Sequence, residues 1–185
     1  EKATLIHADP PYGMGKEKLI KELGLNSTEA ENLFQQYHAK VPFIRALQDQ
    51  CARVAMERGY IKTFKGRRCR FDLWESRYER TLPLPLKEAK EKYGDDLKRS
   101  YTYKALNRLI QGSAADMTKL AMIGLWEEGI VPHLQVHDEV DISIENTEQA
   151  NKVIKIMENC VELAVPLLVD QELGASWGET KEIKI

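Results

Sequence analysis

The sequence predicts an α+β fold in which long helices pack on a small antiparallel sheet. Two patterns carry this expectation. Apolar residues recur at steps of three and four through Leu33, Phe34, Tyr37, Val41, Ile44, Leu47, Cys51, Val54 and Ala55, and again through Leu106, Leu109, Ile110, Ala114, Met117, Leu120, Ala121 and Leu125. That spacing lines one face of an α-helix. Two short runs instead read as hairpins: Arg58 to Arg70, turning at Lys65-Gly66, and Leu134 to Ile142, where His137-Asp138-Glu139 sits between apolar, β-branched-rich segments.

Composition narrows the class. Of 185 residues, 43 % are apolar and 30 % charged, an ordinary soluble balance large enough for one sizeable core. No apolar run approaches the roughly 20 residues of a membrane span, and Glu1-Lys2 does not resemble a signal peptide. Cys51, Cys69 and Cys160 are odd in number and widely spaced, without a zinc pattern, which suits a reducing cytoplasmic setting. A net charge of −2 predicts no nucleic-acid binding from the whole chain's field, so any such binding must come from a local patch.

In order along the chain, residues 1–11 end in Pro10-Pro11 and read as an extended junction. Tyr12-Gly13 leads into a short helical pattern from Lys16 to Leu23, with Gly24 as terminator. Thr28 with Glu31 fits a capping box opening the first long stripe, and Pro42 kinks or breaks it. From Arg58 to Arg70 six basic residues and no acid are interleaved with Tyr60 and Phe64, a composition suited to phosphate contact. Residues 72–99, with Pro83 and Pro85 and a charged run, read as an inserted loop with a short polar helix. The pattern from Tyr101 to Gly129 is one helix, on which Asn107 and Gln111 share a face; Asp116 within it is expected to be held structurally. Asn146 with Gln149 caps a helix to about Leu163, and Val165 to Leu173 reads as a last strand.

The acids of the second hairpin carry the sharpest chemistry. Neighbouring strand residues point to opposite faces, so Asp138 and Glu139 serve one cation only if the chain turns between the strands. Adjacent hard oxygens suit Mg²⁺, which takes one or two carboxylates plus water and substrate phosphates. Those two letters alone more often describe a solvated turn.

Five ordered segments supply a resemblance. Gln135-Val136-His137-Asp138-Glu139 resembles motif C of the family A, pol I-type, DNA polymerases. Asn107 to Asp116 resembles that family's Asn-x-x-x-Gln-Gly-[Ser/Thr]-Ala-Ala-Asp segment, and Gly59 to Arg68 its Gly-Tyr/Val-x-Thr-x-x-Gly-Arg-Arg segment. Val165 to Trp177 is similar to its C-terminal ending, and Tyr12-Gly13 to the close of motif B. Two departures stand out: Ala8 and Thr4 occupy the places of motif B's aromatic and nucleotide-binding lysine, and Tyr103, beside Lys104, replaces the arginine four residues before Asn107.

The resemblance implies the end of the fingers and most of the second half of a polymerase palm, whose hairpin is catalytic. The divisions expected are a junction over 1–11, fingers-end helices over 12–58, the basic hairpin and charged insertion over 59–100, and the palm portion over 101–185. Asp138 would be a metal ligand, Glu139 a weaker ligand or a group orienting water, and His137 a contact to the primer end. Tyr12 would lie beside the template base, and Arg67, Arg68, Asn107, Gln111 and Gln135 would contact DNA. Asn107 and Gln111 would donate to the minor-groove acceptors present in every base pair. The implied cofactor is Mg²⁺ in a two-metal site. Its other aspartate, from motif A, would come from an N-terminal polypeptide, and the remaining partners are primer-template DNA and a dNTP. A non-catalytic DNA-binding protein on the same scaffold is the alternative, and a metal-dependent nuclease a weaker one.

Overall fold

The structure, a computed structural model, describes residues 20–21 and 24–182, so the junction over 1–11 and Tyr12 lie outside the described residues. Two compact units result, Glu1–Gly112 and Ser113–Ile185.

In the first unit, α1 (Ser27–Lys40) opens with a reciprocal cap: Glu29 N–H donates to Asn26 Oδ1 at 2.9 Å and Asn26 N–H to Glu29 Oε2 at 3.0 Å. The box is therefore Asn26 with Glu29, two residues before the expected pair. Pro42 breaks the stripe as expected, because it starts α2 (Pro42–Arg58) at the position where its missing N–H costs nothing. α2 ends at Gly59, φ +76°, whose N–H caps the Ala55 carbonyl at 2.9 Å. Only the C-terminal half of α2 joins the core. Cys51 and Ala55 are buried while Leu47 remains 40 % exposed, because the hairpin that covers the helix returns from its C-terminal end alone.

That hairpin pairs β1 (Tyr60–Lys62) with β2 (Arg68–Arg70) in the register Tyr60↔Arg70, Ile61↔Cys69, Lys62↔Arg68. Gly66 N–H closes the turn onto the Thr63 carbonyl at 2.9 Å, with Gly66 at φ +86°, the three-residue loop geometry of a type I turn followed by a left-handed residue. Ile61 and Phe71 bury against Cys51, Ala55, Ala105 and Leu106, with Cys69, Tyr101 and Leu109 packed around them.

Residues 72–99 are more ordered than a loop. β3 (Leu73–Ser76), β4 (Leu84–Pro85) and β5 (Leu97–Arg99) form an antiparallel sheet in the order β4-β3-β5, and α3 (Leu86–Tyr93) buries Ala89. Strands of two to four residues carry too few alternations to read in sequence, and Pro85 is tolerated because β4 is an edge. Glu75 ties the sheet by accepting from Ser100 Oγ at 3.0 Å and pairing with Lys98 at 3.5 Å.

A short 3₁₀ turn, Thr102–Lys104, leads into α4 (Ala105–Glu127), which begins in the first unit and continues into the second. The second unit adds β6 (Leu134–Val136), β7 (Glu139–Asp141), α5 (Thr147–Glu158), and the short pair β8 (Glu172–Leu173) and β9 (Lys181–Glu182). Leu125, Ala121, Ile130 and Ala150 are its buried apolar residues. α5 is capped as expected, with Asn146 Oδ1 accepting from Gln149 N–H at 2.9 Å, but it stops at Glu158 rather than Leu163. The strand expected over Val165 to Leu173 reduces to Glu172–Leu173. Pro166 has no N–H for a ladder, and Val169 N–H goes to the Glu158 carboxylate at 3.3 Å instead. No helix among the described residues is long and apolar enough to cross a membrane.

Two expectations follow from this packing. A Cβ at Gly112 would lie 2.9 Å from Cγ2 of Thr63, a buried side chain anchored through its Oγ1. Gly112→Ala should therefore lose about 1 kcal/mol of stability in urea unfolding, overpacking of about 1–3 kcal/mol outweighing a helix-propensity gain of about 1. Thr63→Ser, which removes the obstructing methyl, should recover most of the loss.

In the second unit Lys152 Nζ lies 2.7 Å from Glu128, and its hydrogen bond and charge hold the Glu128 carboxyl below the usual carboxylate range. A depressed pKa contributes stability above the unfolded value that is lost as pH falls through the folded one. The difference in thermal midpoint between the wild type and Lys152→Met should accordingly be present at neutral pH and vanish well below pH 4.5.

Candidate functional site

In the first unit the basic hairpin has two distinct faces. Residues directly opposite on antiparallel strands share a face, so Tyr60, Lys62, Arg68 and Arg70 line one side while Ile61 and Cys69 turn to the core. Lys62 and Arg68 stand opposite each other with like charge, an unfavourable pairing in isolation. Arg68 is partly compensated by the Tyr60 ring, 4.8 Å from its Cζ. This face carries three exposed cations, Lys62, Arg68 and Arg70, and no acid.

Arg67, the other arginine of the pair singled out in sequence, does something different. Its Nη2 donates to the Gly112 carbonyl of α4 at 2.7 Å, and its N–H donates to Thr63 Oγ1 at 3.1 Å. Arg67 thus anchors the hairpin beside Gln111, which is exposed, and one turn from Asn107, which is half-buried. Arg67 is therefore tied to α4 at Gly112, whereas Arg68 stands on the Tyr60 face of the hairpin.

Sequence reasoning missed Arg108. Its Nη1 donates to the Arg70 carbonyl at 2.6 Å and its Cζ lies 4.3 Å over the Phe71 ring, so it faces inward and fixes the end of β2. A single cation between two motif residues carries no signal of that direction. Only the register between β2 and α4 reveals it.

The acidic hairpin of the second unit closes in two residues. Val136 pairs with Glu139, leaving His137 and Asp138 as the turn. His137 has φ +54°, in the left-handed region that such turns normally give to glycine or asparagine. Its carbonyl accepts from Gln135 Nε2, which pins the turn from one side. Below it His133 N–H donates to the Asp141 carbonyl at 2.9 Å, and His133 Nε2 lies 3.0 Å from Ser143 Oγ, extending the ribbon. His137, Asp138 and Glu139 are all exposed, with the two acids consecutive at the tip.

These donors fit one side of a Mg²⁺ site. They are two hard carboxylates, open to water and substrate oxygens, the number such an ion takes from protein. No group of three or more His, Cys, Asp or Glu placed to hold a metal occurs among the described residues. Asp116 is only 7 % exposed within α4.

Comparison with known proteins identifies the family. The model of "DNA polymerase family A" matches residues 10–179. The DNA-directed DNA polymerase of Pseudomonas phage M6 is 34 % identical over 96 % of this chain and 29 % of its own length. The thermostable DNA polymerase I of Thermus filiformis is 33 % identical over 92 % of this chain and 19 % of its own. Among solved structures, the POL domain of Pol1 from M. smegmatis, in complex with DNA primer-template and dNTP, superposes with a TM-score of 0.67 at 26 % identity, covering 90 % of this chain and 28 % of that one. The chain therefore spans less than a third of each of these relatives. With the basic hairpin, the Asn107 to Asp116 helix and the acidic hairpin all falling inside the matched residues, the chain belongs to DNA polymerase family A.

Proposed function

We propose that this chain is the C-terminal, motif C-bearing part of a DNA-directed DNA polymerase. It would work with an N-terminal polypeptide, joined or separate, that carries the motif A aspartate. The observation that supports this most is the exposed Asp138–Glu139 pair at the tip of a pinned hairpin, within a chain of this family.

In this reading Asp138 holds the cation and Glu139 is a weaker ligand or orients water. His137 touches the primer end, and Gln135 contacts DNA while holding the turn. Two Mg²⁺ ions, when bound, would lower the pKa of the primer 3′-hydroxyl and neutralise charge on the dNTP triphosphate. Arg68 and its neighbours meet backbone phosphates, with Arg67 seating them. Asn107 and Gln111 donate to minor-groove acceptors without regard to sequence. Tyr12 would stand beside the template base. Residues 12–58 would be the end of the fingers and 101–185 the palm portion, and three free cysteines suit a reducing cytoplasm.

The test is Mg²⁺-dependent primer extension by the chain with and without the N-terminal polypeptide. Extension should require both. Asp138→Ala should lower the rate by more than about 100-fold, beyond what loss of a supporting group costs, with primer-template affinity retained. A normal rate from the isolated chain would refute the two-part arrangement. Absence of extension under both conditions, with binding intact, would favour a non-catalytic DNA-binding protein.

The turn offers a second check. His137→Gly should relieve left-handed strain and raise stability by about 1 kcal/mol in urea unfolding. If the imidazole contacts the primer end, the same variant should extend primers more slowly.

A further inference from the structure

Arg99 lies in the segment that the sequence presents as an insertion, and no role above falls to that segment. Yet its guanidinium is held on three sides. Nη1 donates to the Phe71 carbonyl at 2.9 Å, and Cζ lies 4.4 Å over the ring of Trp74, its cross-strand partner. Against the third side packs Gly59. A Cβ there would fall 2.7 Å from Arg99 Cζ and 2.8 Å from both terminal nitrogens, and its φ of +76° disfavours any larger residue as well. Phe71 N–H returns to the Gly59 carbonyl at 2.8 Å, which closes the circuit between the end of α2, the end of β2 and the added sheet.

Arg108 holds the same place from the opposite side. The carbonyls of residues 70 and 71 are each taken by a guanidinium, Arg70 O by Arg108 and Phe71 O by Arg99. Both arginines leave the exposed cationic row to Lys62, Arg68 and Arg70. The like charges of Lys62 and Arg68 directly opposite each other weaken the pairing of β1 with β2, which a fixed base opposes.

We propose that Arg99 is a positioning residue for nucleic-acid binding: it fixes the base of the β1–β2 hairpin so that the cationic row is presented as one surface, without touching nucleic acid itself. This makes residues 72–99 a buttress of that surface. The inference rests on the reading of the hairpin as a DNA contact. The planar fork is essential to it, because a lysine ammonium cannot stack on Trp74 and bond Phe71 O in the same geometry.

The experiment measures binding of primer-template DNA by the full chain across a salt series, at a temperature where circular dichroism shows every variant folded. Arg99→Met and Arg99→Lys should each weaken binding about tenfold, the scale of one hydrogen bond and one cation–π contact. The slope of log affinity against log salt should stay at the wild-type value, because the number of phosphate contacts is unchanged. Arg68→Ala, a direct contact, should make that slope shallower by about 0.7–0.9. A shallower slope in Arg99→Met would mean that Arg99 meets phosphate itself and would overturn the proposal. Full affinity in Arg99→Lys would overturn it too, showing that charge alone suffices. So would unchanged affinity in both variants. If the wild type itself showed no salt-dependent binding, the reading of the hairpin would fall and the proposal with it; in the other cases only the proposal falls.

Discussion

The first unit depends on how closely the basic hairpin can approach α4. A helix side chain at position 112 would hold the two apart, and glycine there leaves the backbone carbonyl open to the Arg67 guanidinium at 2.7 Å. That one charged hydrogen bond does two things: it spends an arginine of the motif on structure, and it sets the neighbouring Arg68 outward. The Gly-Arg-Arg and Gln-Gly segments, about 45 residues apart in sequence, are thus two halves of one contact.

The same unit shows why net charge misleads. The chain carries −2 overall, yet six cations and no acid fall between Arg58 and Arg70. Strand alternation sorts them further. Lys62, Arg68 and Arg70 share the exposed side, while Arg67 is diverted to Gly112. Local repulsion along that row is an energetic cost that folding alone does not require, and it becomes favourable only against a polyanion. Arg99 and Arg108, which donate to backbone carbonyls at the hairpin's base, hold the row in place while that cost stands.

Much of this was legible in the sequence, and the misses have physical causes. α4, the two hairpins, the Pro42 break and the Asn146 cap were visible because period, turn chemistry and capping are local properties. The Asn26–Glu29 box was displaced from the expected Thr28–Glu31 because both pairs have suitable letters three apart, and only the backbone decides which is the cap. The sheet in residues 72–99 was hidden since β3 pairs with β5 across an intervening helix, with strands too short for a period to show. Leu47 lies on the apolar stripe of its helix, yet it is 40 % exposed while Cys51 and Ala55 of the same stripe are buried. Arg67 was singled out and Arg108 was not, and the direction of both is a tertiary property.

The acidic hairpin illustrates a different limit. Its strands and its two-residue turn follow from alternation, but nothing in Val-His-Asp-Glu announces a left-handed residue. A glycine or asparagine would make the turn at lower cost, and the strain of about 1–2 kcal/mol at His137 has to be met elsewhere. The Gln135 amide donating to the His137 carbonyl meets part of it, which binds a polar strand residue to the turn it precedes. Strain retained in this way is informative when the strained side chain is exposed, since packing then gives no reason to keep it. With His137 outward and both acids beside it, what the turn gains is the presentation of an imidazole and two carboxylates at one tip. That arrangement contributes nothing to the core, and the proposed catalytic role is what would account for keeping it.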